Sequence, residues 1–370
     1  MILSTHAQRL ERWLGAETVE NLSRNMVDWY GPPIPVGGVP GNVWAHKGGD
    51  FRGPIASGQF MSALDFGIMR GKRILRNHGR RQRATAHAGF SSLSDLISEA
   101  TAGAKRREFP FNKAGSTGAT FITSSLWRQG NTPPAGAAPA NPAAGTAYTD
   151  ADSFPFTNPT GGDTQHFVSA FVSATVGGNT LLLYDLLFGV NKTMNSTATE
   201  AVTGVPTRYQ STTPGAADYI GGNFGFIQVG GTALAATAHN WTVCQYTNQA
   251  GSTGINLPSV AGNSGAIVDR LDMATAQWFV PLAAGDNGIK AWTQLQCSAA
   301  VATGVIWFMI GHPIAFLPCP ITNMVCISDG INTAFNLARV FDDACLAFLE
   351  INKPSTSATT YTGSFTTVAG

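Results

Sequence analysis

Seven bases fall within fourteen residues of this chain: Arg70, Lys72, Arg73, Arg76, Arg80, Arg81 and Arg83, with no acid among them. Lys105, Arg106 and Arg107 form a second cluster. The chemistry open to such density is neutralisation of phosphates, with an affinity that falls steeply with salt. No aromatic residue interleaves with residues 70–83, so stacking on single strands is not indicated, and the run matches no sequence-specific module. Three readings fit these ten residues: contact with nucleic acid, an intersubunit surface facing acids such as those of the C-terminal part, or a solvated surface.

Other chemistry is sparsely provided. The five cysteines are Cys244, Cys297, Cys319, Cys326 and Cys345, an odd number with no CxxC spacing. They read as small buried hydrophobes of a reducing compartment. Cys319, Cys326 and His312 are too loosely spaced to suggest zinc. His166, His239 and His312 lie in or beside predicted strands and read as hydrogen-bonded core or interface residues. Asp163, His166 and Asp185 could gather into a polar cluster, but no nucleophile is placed beside them. Asp342 and Asp343 are adjacent, so on a helix they would point about 100° apart rather than face each other. AGNSGA at 261–266 lacks nucleophile-elbow spacing and reads as a turn, and no phosphate-binding or zinc-protease motif occurs. The sequence therefore predicts a non-enzymatic protein with no catalytic residue, no metal site and no cofactor.

The charge that remains is unevenly spread. Residues 1–113 hold 16 of the 23 Lys and Arg and 9 of the 22 Asp and Glu, whereas residues 114–370 hold 7 and 13. Twenty charges in 257 residues is far below the usual fraction of about a quarter. The surface of the long second part must then be neutral polar, glycine-rich or covered by neighbours, which points to a subunit of an assembly.

Apolar spacing predicts helices over 5–29, 58–77 and 91–102, the last started by Ser92 with Asp95 or by Ser94. Residues 30–57 read as an extended arm, and the Ala/Pro/Gly-rich segment 130–149 reads as a loop or linker. From Phe154 onward the pattern becomes one of strands. The candidates are 165–176, 180–187, 224–229, 240–246, 278–282, 290–299 and 304–310. The stretch VATGVIWFMIGHPIAFLPCP at 301–320 is apolar enough to suggest a membrane helix, but Gly311, His312 and Pro313 interrupt it. It reads as two buried strands joined by a turn. A last helix is expected near 331–351, followed by a Thr/Ser-rich tail that either frays or pairs as a strand. The N-terminus reads as no signal peptide, so cytoplasmic synthesis and no membrane contact are expected.

The predicted fold is mainly β: a β-sandwich or jelly-roll-like body over 154–320, preceded by a partly helical basic arm over 1–129 and a linker over 130–153. Residues 321–370 complete it as a C-terminal helix and tail.

Four stretches carry a resemblance: KTMNSTATEAVTGVPTRYQS at 192–211, ALAATAHNWTVCQYTNQAGSTG at 233–254, PLAAGDNGIKAWTQLQCSAA at 281–300 and ACLAFLEINKPSTSATTYTGSFTTVAG at 344–370. Together they resemble structural proteins from the virions of tailed bacteriophages, over roughly residues 165–370. The resemblance implies a virion protein made in the host cytoplasm and assembled in many copies with itself and other virion proteins. The usual major capsid fold of that group has a long spine helix, and no clear spine helix is found here. An auxiliary capsid, decoration or tail-associated role is favoured, with a β-sandwich shell protein also open. The alternative role is receptor or glycan binding at a tail, through loops around 211–223 and 247–264.

Overall fold

Two fifteen-residue runs organise the molecule: NTLLLYDLLFGVNKT at Asn179–Thr193 and VIWFMIGHPIAFLPC at Val305–Cys319. A strand buried on both faces loses the alternation of a half-exposed one and becomes almost continuously apolar. Every residue from Leu181 to Val190 is buried. At about 3.4 Å per residue such strands run about 50 Å.

The computed structural model describes residues 89–370, apart from 102, 104, 119, 274–276 and 332–336. The first elements are α1 (Leu93–Thr101), β1 (Arg106–Ala114), β2 (Ile122–Ser125), β3 (Thr146–Ala147), β4 (Gln165–Ala174) and β5 (Asn179–Thr193). There follow β6 (Glu200–Ala201), β7 (Phe224–Val229), β8 (Asn240–Trp241), β9 (Gln245–Asn248), β10 (Ile255–Asn256) and β11 (Val260–Ala261). The last are β12 (Ile289–Leu295), β13 (Val305–Cys319), β14 (Val325–Asp329), β15 (Arg339–Val340), β16 (Leu346–Lys353) and β17 (Thr360–Ala369).

The strands form antiparallel layers. A central sheet runs β2-β16-β5-β13-β7, with β3 also on β5. An outer sheet runs β1-β17-β4-β14, with β15 also on β4. A smaller sheet, β10-β9-β12-β6, completes the main layers. One core joins the outer and central sheets: Phe109, Phe111, Val172, Tyr361 and Phe365 pack with Leu181, Leu183, Leu317 and Phe348. The Phe111 and Phe348 rings lie 4.7 Å apart across it. The second core lies beyond the central sheet, where Trp241 and Trp292 meet Phe308 edge-on at 4.7 and 5.6 Å. The molecule is thus mainly β and consistent with a sandwich.

Several sequence expectations change. The helix expected near 331–351 is not formed: 346–353 is strand β16, and 332–336 lie outside the described residues. Leu346 and Phe348 enter one core while Ala347, Leu349 and Ile351 enter the other. Burial on both faces leaves an unbroken apolar run, and such a run fits helical spacing as well as strand spacing. The Gly-His-Pro turn expected at 311–313 is also absent, because β13 runs straight through it. Pairing with β7 ends at Gly311, and the register against β5 shifts between Pro313 and Ala315. A proline without an N–H is tolerated at such an edge or bulge. The Thr/Ser-rich tail is β17, paired with β1 on one side and β4 on the other. Segment 278–282 is not a strand, although Trp278 packs edge-on against Phe224 at 4.8 Å.

Residues 130–149 lie against the body: Trp127 Nε1 and the Tyr148 hydroxyl both donate to Ala137 O, and Asn191 N donates to Ala140 O. The α1 start is capped by Ser92, whose hydroxyl accepts from Asp95 N at 3.1 Å. The basic arm over 1–88 lies outside the described residues, and 106–114 and 122–125 of the expected arm are strands of the two sheets.

Phe365 is fully buried, stacked on Phe109 at 4.8 Å and edge-on to Phe154 at 5.4 Å. Phe365→Ala should cost about 3–5 kcal/mol of unfolding free energy by chemical denaturation. A loss below about 1 kcal/mol would contradict the shared core.

Candidate functional site

The basic residues are the first place to look. Arg70, Lys72, Arg73, Arg76, Arg80, Arg81 and Arg83 lie outside the described residues. Lys105, Arg106 and Arg107 flank and open β1, and each has a partner in its own chain. Lys105 Nζ donates to Asp163 at 2.9 Å and Glu99 at 3.1 Å, which raises its pKa. Arg106 pairs with Glu108. Arg107 Nη1 donates to Gln165 Oε1 at 2.6 Å, and its guanidinium lies 5.7 Å from the Phe156 ring centre. Exposed ion pairs of this kind are weak and screened by salt.

Several buried polar groups are paired with one another. Asp185 sits inside an apolar run, and Arg208 grips it from two atoms: Nε to Oδ2 at 2.9 Å and Nη2 to Oδ1 at 2.7 Å. Cys345 N donates to the same Oδ1 at 2.9 Å, so the pair ties the chain before β16 to β5. Asp272 accepts from Trp241 Nε1 at 2.8 Å and Asn263 N at 2.6 Å. His239 Nε2 lies 2.9 Å from Asp272 Oδ2, and its Nδ1 lies 3.0 Å from Thr237 O. Both ring nitrogens therefore face acceptors. Burial disfavours charge on this ring, but the carboxylate and the carbonyl outweigh it, and the pKa is raised. Glu350 accepts from the Tyr361 hydroxyl at 2.9 Å, and Lys353 Nζ donates to Ser116 O.

Asp163 is on Lys105, His166 is on Thr164 and Leu337 O, and Asp185 is on Arg208, so the three are not brought together. His312 stacks on Tyr209 at 3.8 Å, with burial pushing its pKa down to about 4. Burial pushes the Cys244 and Cys319 thiols up to about 12, the opposite of an activated thiolate. Among the described residues, no three His, Cys, Asp or Glu side chains are grouped to hold a metal ion. No helix among them is long and apolar enough to cross a membrane.

The loops around 211–223 and 247–264 do meet. A side chain at Gly251 would lie 3.4 Å from Thr212. Gly222 N donates to Asn287 O at 2.8 Å. Asp286 there accepts from the Tyr246 hydroxyl at 2.6 Å, from Asn248 Nδ2 at 2.8 Å and from Gln249 Nε2 at 3.4 Å. These polar groups are committed to one another.

The surface is the more unusual feature. Of the 20 charged residues in 114–370, seven are buried: Asp185, Lys192, Arg208, Asp269, Asp272, Glu350 and Lys353. Eleven are half-buried, and only Asp342 and Asp343 are exposed. Among the described residues of the same stretch, ten large hydrophobics are exposed. Five of them, Phe171, Ile321, Met324, Val325 and Ile327, lie on or around β14. Composition foretold the scarcity of charge, but which charges would turn inward depends on pairings such as 185 with 208.

No family model and no curated protein matches the chain. Solved structures to which it is similar include the Gt strain of infectious bursal disease virus, 10% identical over 72% of this chain and 80% of that one, with a TM-score of 0.15. They also include the VP2 subviral particle of infectious bursal disease virus, 9% identical over 71% and 80%, again with a TM-score of 0.15. A superposition that loose assigns neither fold nor function.

The His239–Asp272 contact has a pH signature. A histidine whose pKa is higher folded than unfolded stabilises fully below the unfolded value near 6.5, and that contribution is lost as pH rises through the folded pKa. The melting-temperature gap between wild type and His239→Gln should therefore be larger at pH 6 than at pH 9. A gap that does not change with pH would contradict a charged imidazole at this site.

Proposed function

We propose that the chain is a non-enzymatic structural subunit of a bacteriophage virion, assembled in many copies in the capsid or its auxiliary layer. The observation that carries this reading is the surface of the described part of residues 114–370, where ten exposed large hydrophobics stand against two exposed charges. A free soluble domain keeps a charged, patch-poor surface. Neutral surface costs less to desolvate than charged surface, which suits burial between subunits. The resemblance of residues 165–370 to tailed-phage virion proteins supplies the phage assignment. Tail receptor or glycan binding is the weaker reading, because the polar side chains around Asp286 already bond to one another.

The basic residues Arg70, Lys72, Arg73, Arg76, Arg80, Arg81, Arg83, Lys105, Arg106 and Arg107 are proposed to meet either packaged nucleic acid or an acidic face of a neighbouring virion protein. The two are separable. Reversing charge at Arg80 and Arg81 should spare empty particles and destabilise full ones if the partner is the genome. Equal disruption of both would assign the contact to protein.

Mass photometry of the purified full-length chain across a concentration series should show oligomers growing with concentration. Contacts made by neutral surface should persist at high salt. A monomer at the highest soluble concentration would overturn the reading.

A further inference from the structure

The face of the outer sheet that points away from the core is almost free of charge. Register places Asn112, Thr362, Ser173 and Val325 in one row across it, and Pro110, Ser364, Phe171 and Ile327 in the next. Charge enters only in the third row, which has Glu108 at one end and Asp329 at the other, with Thr366 and Ser169 between. Glu108 is already paired with Arg106.

The apolar residues concentrate at the β14 end. Ile327 is 72% exposed and Val325 55%, and Phe171 beside Ile327 is 49% exposed. Ile321 and Met324, in the turn before β14, are also exposed. Together Phe171, Ile321, Met324, Val325 and Ile327 leave on the order of 500 Å² open, within the range for a monomer's largest patch and below the ~800 Å² per partner of a standard interface.

The backbone points the same way. β14 pairs with β4 and with no other strand among the described residues. Gly330 N donates to Val168 O at 2.8 Å, which sets the alternation. Cys326 and Ser328 turn their main-chain groups toward β4, and Val325 and Ile327 turn theirs outward. A five-residue edge with outward N–H and C=O groups and bare apolar side chains is a template for another strand.

We infer that β14 pairs antiparallel with β14 of a second copy of this chain, about a twofold axis near Ile327, so that the outer sheet continues from one copy into the next. The inference rests on the proposed assembly role and names its contact. A surface laid against its own copy meets like charge with like, so a face without charge is the kind that can do this. The same face offers nucleic acid or a strongly acidic protein no counter-charge. Two copies of this patch would bury about 1,000 Å² in total, the lower bound for a specific interface.

The test uses the full-length chain and two variants, Ile327→Asp and Ile327→Lys. Because Ile327 is exposed, both should fold, as read by unchanged circular dichroism. Each alone should raise the concentration of half-association at least tenfold, the equivalent of about 1.4 kcal/mol. Mixing the two should restore association, because a twofold contact sets the Asp of one copy against the Lys of the other. Wild type that associates while both variants associate equally well would overturn this contact and leave the assembly role standing. Defective variants that the mixture does not rescue would also overturn self-pairing, by placing a different partner on β14. A wild type that stays monomeric would overturn the assembly role itself.

Discussion

Burial of β5 and β13 on both faces is the constraint on which the rest of the structure depends. Neither strand can form until something covers each side. The outer sheet covers one side of the β5 half around Leu181 and Leu183. Trp241, Trp292 and the segment running from Trp127 to Tyr148 cover the half around Phe188 and Phe308. The covering strands come from distant parts of the chain: β1 pairs with β17, setting Arg106 opposite Val368. Such non-local pairing makes folding slow, because loops must close before their contacts form.

The same constraint decides where charge can go. A polar group inside this core must be matched or it destabilises the fold, and an unpaired buried charge costs several kcal/mol. Asp185 is therefore held by two guanidinium nitrogens and a backbone amide. Lys192, at the far end of the same strand, is fully buried and bonded to Glu200. Pairs of this kind use up charges that an ordinary domain displays. What is left outside is serine, threonine, glycine and exposed apolar side chains, a surface suited to contact with other protein surface.

How much of this was legible in the sequence depended on whether a signal was local. Phe224–Val229 forms a strand over the residues that period and composition marked, and α1 begins at Leu93 because Ser92 caps it three residues before Asp95. Two-sided burial hid the rest. It erased the alternation that would have marked 346–353 as a strand, and it let β13 pass through Gly311 and Pro313, where turn chemistry argued for a break. For the tail from Thr360, fraying and strand pairing were both open; it pairs in the interior of the outer sheet, because Tyr361 and Phe365 face the core while Thr362 and Thr366 face out. In the polar sets, Asp185 stood out as a charge in an apolar run, but its partner 23 residues away had no spacing to announce it. Of the basic residues, Lys105, Arg106 and Arg107 turned out to be engaged within the chain.

The central claim is that this charge-poor surface exists to be covered by copies of the same chain. A cryo-EM reconstruction of the particle that contains it tests this most directly. The account predicts symmetric copies, with β14 and the face bearing Phe171 and Ile327 buried against a neighbour of the same chain. Finding that face open to solvent in every copy would contradict it.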